Sequence, residues 1–110
     1  MKRARVYMYD KIAGILVEDE EGFHFKYEDQ YLISEDAEPI SLTMPLQKET
    51  LSSKILFPFF DGLIPEGWLL DIAKKNWKLD ERDRMSILLT TCMDCIGAVS
   101  VEELKESENE

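Results

Sequence analysis

The chain has 110 residues, room for one compact domain and little more. Hydrophobic residues make up 45% and aromatics 10%, enough to build a core and too much for a disordered chain. With 23 acids against 13 bases the formal net charge is -10, which argues against direct binding to nucleic acid or anionic membrane and favours a basic protein partner. The acids cluster as EDEE at 18–21, EDAE at 35–38 and five glutamates in the closing VEELKESENE, runs that read as solvated loops and a tail.

Met-Lys-Arg-Ala-Arg leads straight into the strand-like VYMYD, so no export signal is read at the start. Apolar runs such as ILFPFF are far too short to span a bilayer. Two cysteines without an export signal point to a reducing cytoplasm.

In chain order, ARVYMY at 4–9 is rich in β-formers, Asp10-Lys11 offers a turn, and IAGILVE at 12–18 reads as a second strand. Gly14 inside it marks a bulge or a point of close packing. Asp19 to Gly22 makes an acidic turn. Phe23, Phe25 and Tyr27 then alternate with His24, Lys26 and Glu28, the period of a half-buried strand. A three-stranded meander follows from these runs. YLI at 31–33 reads as a short extended piece, and in PISLTMPLQ the prolines 39 and 45 argue against any long element.

The second half changes character. Pro58 to Gly62 reads as one helical turn, and Pro65 as the first residue of a helix running to about Trp77. Leu69, Ile72 and Ala73 share one stripe of that helix, Trp77 closes it, and Trp68 lies at its edge. Asp80 is the expected N-cap of the next helix, with Asp83 three residues on and Met85, Ile87, Leu88 and Leu89 behind. IGAVSV at 96–101 is a last strand inserted in the sheet. Strands, then helices, then a strand predict an α+β fold: a small antiparallel sheet packed with two or three short helices.

The residues offer little chemistry. CMDC at 92–95 has redox spacing, but it follows a helix instead of opening one, and Asp94 raises thiol pKa values. A zinc site needs four ligands, and one pair of cysteines with the lone His24 does not supply them, so no metal and no cofactor is expected. His24 reads as a surface residue. Glu66 and Asp71 could pair as carboxylates, yet both sit where helix capping explains acids without catalysis. No nucleophile elbow or phosphate-binding glycine loop is present, and the expectation is a protein that is not an enzyme.

Several stretches together resemble a known family. PISLTMP, then FFDGLIPEG with its following amphipathic helix, then DCIGAV, look like the N-terminal subdomain of HipA-type serine/threonine kinases. The resemblance covers nearly the whole chain, from the first strands to about Val101. It departs at Leu70, where the family commonly has arginine, and at Cys92, where it commonly has glycine. In such kinases a larger core follows, carrying the ATP-binding loop and the catalytic and metal-binding aspartates. Here ELKESENE reads as a natural terminus, with a domain over 1–103 and an acidic tail over 104–110. A free-standing subdomain is similar to HipS, the small component of tripartite HipBST toxin–antitoxin systems. That resemblance implies an antitoxin that restrains a separate HipA-like kinase (HipT), beside a helix-turn-helix DNA-binding HipB-like protein. A piece of a split or longer kinase, needed for its activity, is the competing expectation. Trp68 has two readings: it packs against the Pro-Glu-Gly turn or FPFF at the core edge, or, flanked by Glu66 and Asp71, it is the candidate anchor for that partner, with Phe60 as a further candidate, because tryptophan is enriched in interface hot spots.

Overall fold

Alternation along the first three strands decides which side of the sheet is dry. In the computed structural model, which describes residues 1–68, 82–91 and 98–104, β1 (Lys2–Met8), β2 (Lys11–Asp19) and β3 (Gly22–Tyr27) form the expected antiparallel meander. Ala4, Val6 and Met8 of β1, Leu16 of β2 and Phe23, Phe25 and Tyr27 of β3 are buried on one face. The tight turn falls on Tyr9-Asp10, one residue earlier than expected, because Lys11 already pairs with Met8. Tyr9 takes a left-handed φ of 57° there.

Gly14 serves both roles expected of it. Val6 faces Gly14 while Tyr7 faces Ile12, so Ala13 is the extra residue of a bulge. A Cβ on Gly14 would lie 2.6 Å from the Phe25 ring and 2.5 Å from the Lys26 carbonyl oxygen, so only glycine lets Phe25 lie across β2.

Beyond the meander the segment YLI is not extended. Residues Asp29–Leu32 form a helical turn, α1, whose Leu32 and Ile33 N–H groups donate to the Glu28 and Asp29 carbonyls at 3.0 and 3.2 Å. The reason is tertiary: the turn lets Tyr31 bury itself with its ring stacked 6.1 Å from that of Tyr27. A strand too short for sequence periodicity to reveal, β4 (Leu51–Ser53), then pairs with β3. The helical turn α2 (Pro58–Asp61) follows, with proline at its start as expected.

Helix α3 (Arg84–Thr91) buries Met85, Ile87, Leu88 and Leu89. Asp83, not Asp80, opens it: the Asp83 carboxylate accepts from the Ser86 backbone N–H at 3.1 Å and its hydroxyl at 2.7 Å. Asp80 lies outside the described residues. The last strand, β5 (Val99–Leu104), pairs antiparallel with β1. It is not inserted: the sheet order is β4-β3-β2-β1-β5, which leaves β5 at an edge. Leu104, buried opposite Arg3, is the last residue of this strand. The chain is therefore α+β, a five-stranded antiparallel sheet with short helices against one face. Among the described residues no helix is long and apolar enough to cross a membrane.

Lys2, at the start of β1, reaches Asp83 at 3.2 Å and so ties the sheet to the helix that packs on it. Burial pushes the Asp83 carboxyl up, but the Ser86 donors and Lys2 outweigh it and hold the group below its usual value. A carboxylate with a folded pKa below its unfolded value of about 3.9 stabilises the fold above that pH. The contribution disappears as pH falls through the folded value. Asp83→Ala is expected to cost about 1 kcal/mol in urea unfolding at neutral pH, the usual worth of such a cap. The same variant should show a shallower loss of stability than the parent as pH falls below the unfolded value of about 3.9 and through the lower folded one.

Candidate partner-binding surface

From Phe57 to Trp68 the chain makes one hydrogen-bonded turn after another. The Asp61 and Gly62 N–H groups donate back to Phe57 and Pro58 at 3.0 and 2.9 Å. Leu63 and Ile64 donate to Phe60 and Asp61 at 3.0 and 3.2 Å, and Trp68 to Pro65 at 3.1 Å. Pro65 is thus the acceptor of a turn through Glu66 and Gly67, and helical geometry starts at Trp68. Buried Phe60 and Ile64 nail this coil to the core, which puts the Pro-Glu-Gly turn at the surface.

The structure separates the four candidate residues. Phe60 is 0% exposed, its ring centroid 5.9 Å from Phe25, 6.2 Å from Phe57 and 5.3 Å from Phe59. It is a core residue and offers a partner nothing. The sequence could not show this, because in FPFF either phenylalanine of the pair could face inward. Phe59 is the half-buried one. Glu66 is exposed, and Asp71 lies outside the described residues. Trp68 sits between: half-buried, packed against the core on one side and open on the other.

Two residues that sequence reading did not single out complete the patch. The Arg84 guanidinium carbon lies 5.9 Å from the centre of the Trp68 ring, close enough for a cation–π contact. The Arg84 Nε–H donates to the Asp61 carboxylate at 2.7 Å. Asp61 and Arg84 are 23 positions apart, so only packing of α3 near α2 brings them together. The result is an acid, a cation and an aromatic ring in a row at the edge of the core. An oriented Trp beside an Arg is a composition that interfaces favour, and the row contains no nucleophile or general base set against another group.

The remaining polar clusters are local. Both His24 ring nitrogens are engaged, with Ser52 Oγ at 2.8 Å and Asp19 at 3.0 Å. His24, then the Glu21 N–H, hold the Asp19 carboxyl below its ordinary value. Lys11 meets Asp36 at 2.6 Å on the opposite end of β2. Among the described residues no group of three or more His, Cys, Asp or Glu could hold a metal ion. Cys92, Cys95, Leu70 and Trp77 fall outside the described residues.

The chain is thus a small sheet carrying short helices on one face, with a half-buried tryptophan at the edge of its core. Its kin are specific. The HipA N-terminal domain family model matches residues 4–102. A protein of Haemophilus influenzae known only as an uncharacterized protein is 35% identical over 106 residues, covering 96% of this chain and 96% of that one. A solved structure, the N-terminal domain of HipA toxin, shares the fold with a TM-score of 0.75 and 30% identity over 96% of this chain and 95% of the other. The chain belongs to the HipA N-terminal domain family.

The division between core and patch has a direct test in stability. Phe60→Ala is expected to cost about 3–5 kcal/mol in urea unfolding, as for a buried aromatic. Asp61→Ala, its neighbour, should cost less than about 1 kcal/mol, since its ion pair is open to water.

Proposed function

We propose that this chain is the antitoxin of a HipBST-type toxin–antitoxin system. It binds and restrains a separately encoded HipA-like serine/threonine kinase, the HipT component, alongside a helix-turn-helix DNA-binding protein of the HipB kind. It works by binding in the cytoplasm and catalyses nothing itself.

The observation that carries this reading is the end-to-end match to the Haemophilus influenzae relative, 96% of whose length is covered. That relative has almost no length beyond the matched region, so in it a domain of this kind stands without a kinase core attached. Charge supports the same reading: a net charge of -10 suits a cleft lined with the basic residues that hold ATP phosphates.

Trp68 is the anchor in this proposal. Its inner part packs on the core and Arg84 lies against its ring, so the side chain has few rotamers left to lose on docking. Exposed Glu66 adds an acid beside it for a basic residue on the kinase. A second reading draws on the solved relative, which is a domain of the toxin itself: this chain would then complete the kinase and be required for its activity.

Co-expression with the HipA-type kinase of the same genome separates the two. Relief of toxicity, a stable complex and a fall in kinase autophosphorylation are expected of an antitoxin, whereas a rise in phosphorylation would establish the second reading. Trp68→Ala is expected to weaken kinase binding by about 2 kcal/mol or more, the hot-spot range, in a calorimetric titration. Its unfolding free energy should drop by less than that. A loss of about 3–5 kcal/mol would instead mark Trp68 as a core aromatic and remove it as the anchor.

A further inference from the structure

Pro39 to Gln47 contains no charged residue in a chain that is 33% charged. The run is nevertheless at the surface. Leu42, Thr43, Pro45 and Leu46 are all exposed, and Leu42 at 97% is the most exposed large apolar side chain among the described residues. Glu38 on one side and Lys48 and Glu49 on the other, all exposed, frame the run with charge. An uncharged centre inside a charged rim is the layout of a protein interface.

The backbone beneath Leu42 is held firmly. The Met44 N–H donates to the Ser41 carbonyl at 3.0 Å, and Ser41 and Met44 form an isolated antiparallel bridge. Ser41 Oγ accepts from the Thr43 N–H at 3.3 Å and bonds the Thr43 hydroxyl at 3.0 Å. Two buried tyrosines anchor the feet of the turn. The Tyr27 hydroxyl accepts from the Ile40 N–H at 3.0 Å and donates to the Met44 carbonyl. The Tyr31 hydroxyl donates to the Glu38 carbonyl at 2.6 Å and accepts from its N–H at 3.2 Å. Ile40 and Met44 plug into the core on either side, so Leu42 is left standing at the tip of a fixed turn.

Within the isolated chain nothing favours an apolar residue at that tip, since any polar side chain would leave the turn intact. A preorganised apolar tip becomes favourable when a second surface covers it, because the ordering cost has already been met by the fold. The solved relative is the N-terminal domain of a toxin, so in that protein the fold is joined to further chain of the same molecule. We propose that Leu42 is a second anchor for the kinase partner, seated with Leu46 in an uncharged apolar pocket of the kinase body and separate from the Trp68 contact. This rests on the reading of the chain as a kinase-binding protein.

The test is Leu42→Asp in the full chain, titrated into the co-expressed kinase beside the parent and Trp68→Ala. Leu42→Asp should melt at the parent's temperature, because the side chain touches solvent, and should bind the kinase at least tenfold more weakly. Leu42→Gln, uncharged, should also weaken binding, by a smaller factor. Parent-like binding by Leu42→Asp overturns the inference, and if Trp68→Ala still weakens binding, the antitoxin reading survives alone. A parent chain that does not bind the kinase at all rejects both. If sedimentation shows a self-associating parent that Leu42→Asp renders monomeric, with kinase binding unchanged, the occupant is a second copy and the kinase pocket is rejected.

Discussion

Two aromatic rings on β3 hold this domain together. Phe25 meets Tyr27 edge-on at 4.9 Å, reaches Phe60 of α2 at 5.9 Å, and lies over Gly14 of β2. Tyr27 stacks on Tyr31 of α1 and spends its hydroxyl on the loop at Ile40 and Met44. Sheet, both helical turns and the long loop therefore converge on one strand. Edge-to-face and stacked ring pairs each contribute on the order of 0.5–1.5 kcal/mol beyond simple burial, and here they share members. Loss of either ring would be felt at several places at once.

This arrangement explains how so small a domain presents ordered surface features. A chain of this size buries a modest fraction of its surface, and long loops are ordinarily its weakest part. Residues 38–44 escape that fate because their polar backbone groups are satisfied by tyrosine hydroxyls whose rings are already core. The coil from Phe57 to Trp68 is fixed in a similar way, by Phe60 and Ile64. Rigidity at the surface is inherited from the core, and in both places it leaves a large apolar side chain partly or wholly in water.

Electrostatics plays a smaller part in stability than the composition suggests. The ion pairs Lys2–Asp83, Arg5–Glu102, Lys11–Asp36 and Arg84–Asp61 are all at least partly open to solvent, where such pairs contribute little. Their effect is on geometry: Lys2 aligns α3 with the sheet, and Asp61 directs Arg84 toward Trp68. The surplus of acid remains as surface charge, which acts on encounter rates and on solubility more than on the fold.

The amino-acid sequence by itself determined the meander, the helical turn at Pro58, the apolar face of the helix containing Met85, and the α+β class. These follow from period-two alternation, helical spacing and proline placement, all of which are local. The motifs in PISLTMP and FFDGLIPEG also carried the family, which the comparisons then established. Only the tertiary structure decided which phenylalanine of the pair at 59–60 turns inward, that Asp83 is the cap, that YLI is a helical turn, and that β5 lies at an edge. Three of these are settled by a neighbour far away in sequence, Phe25 for Phe60, Lys2 for Asp83 and Arg3 for Leu104, and the turn at YLI by burial of Tyr31 against Tyr27 four positions before it. The Asp61–Arg84–Trp68 row is of the same kind, for no spacing along the chain records which side chains meet when a helix folds back onto a turn.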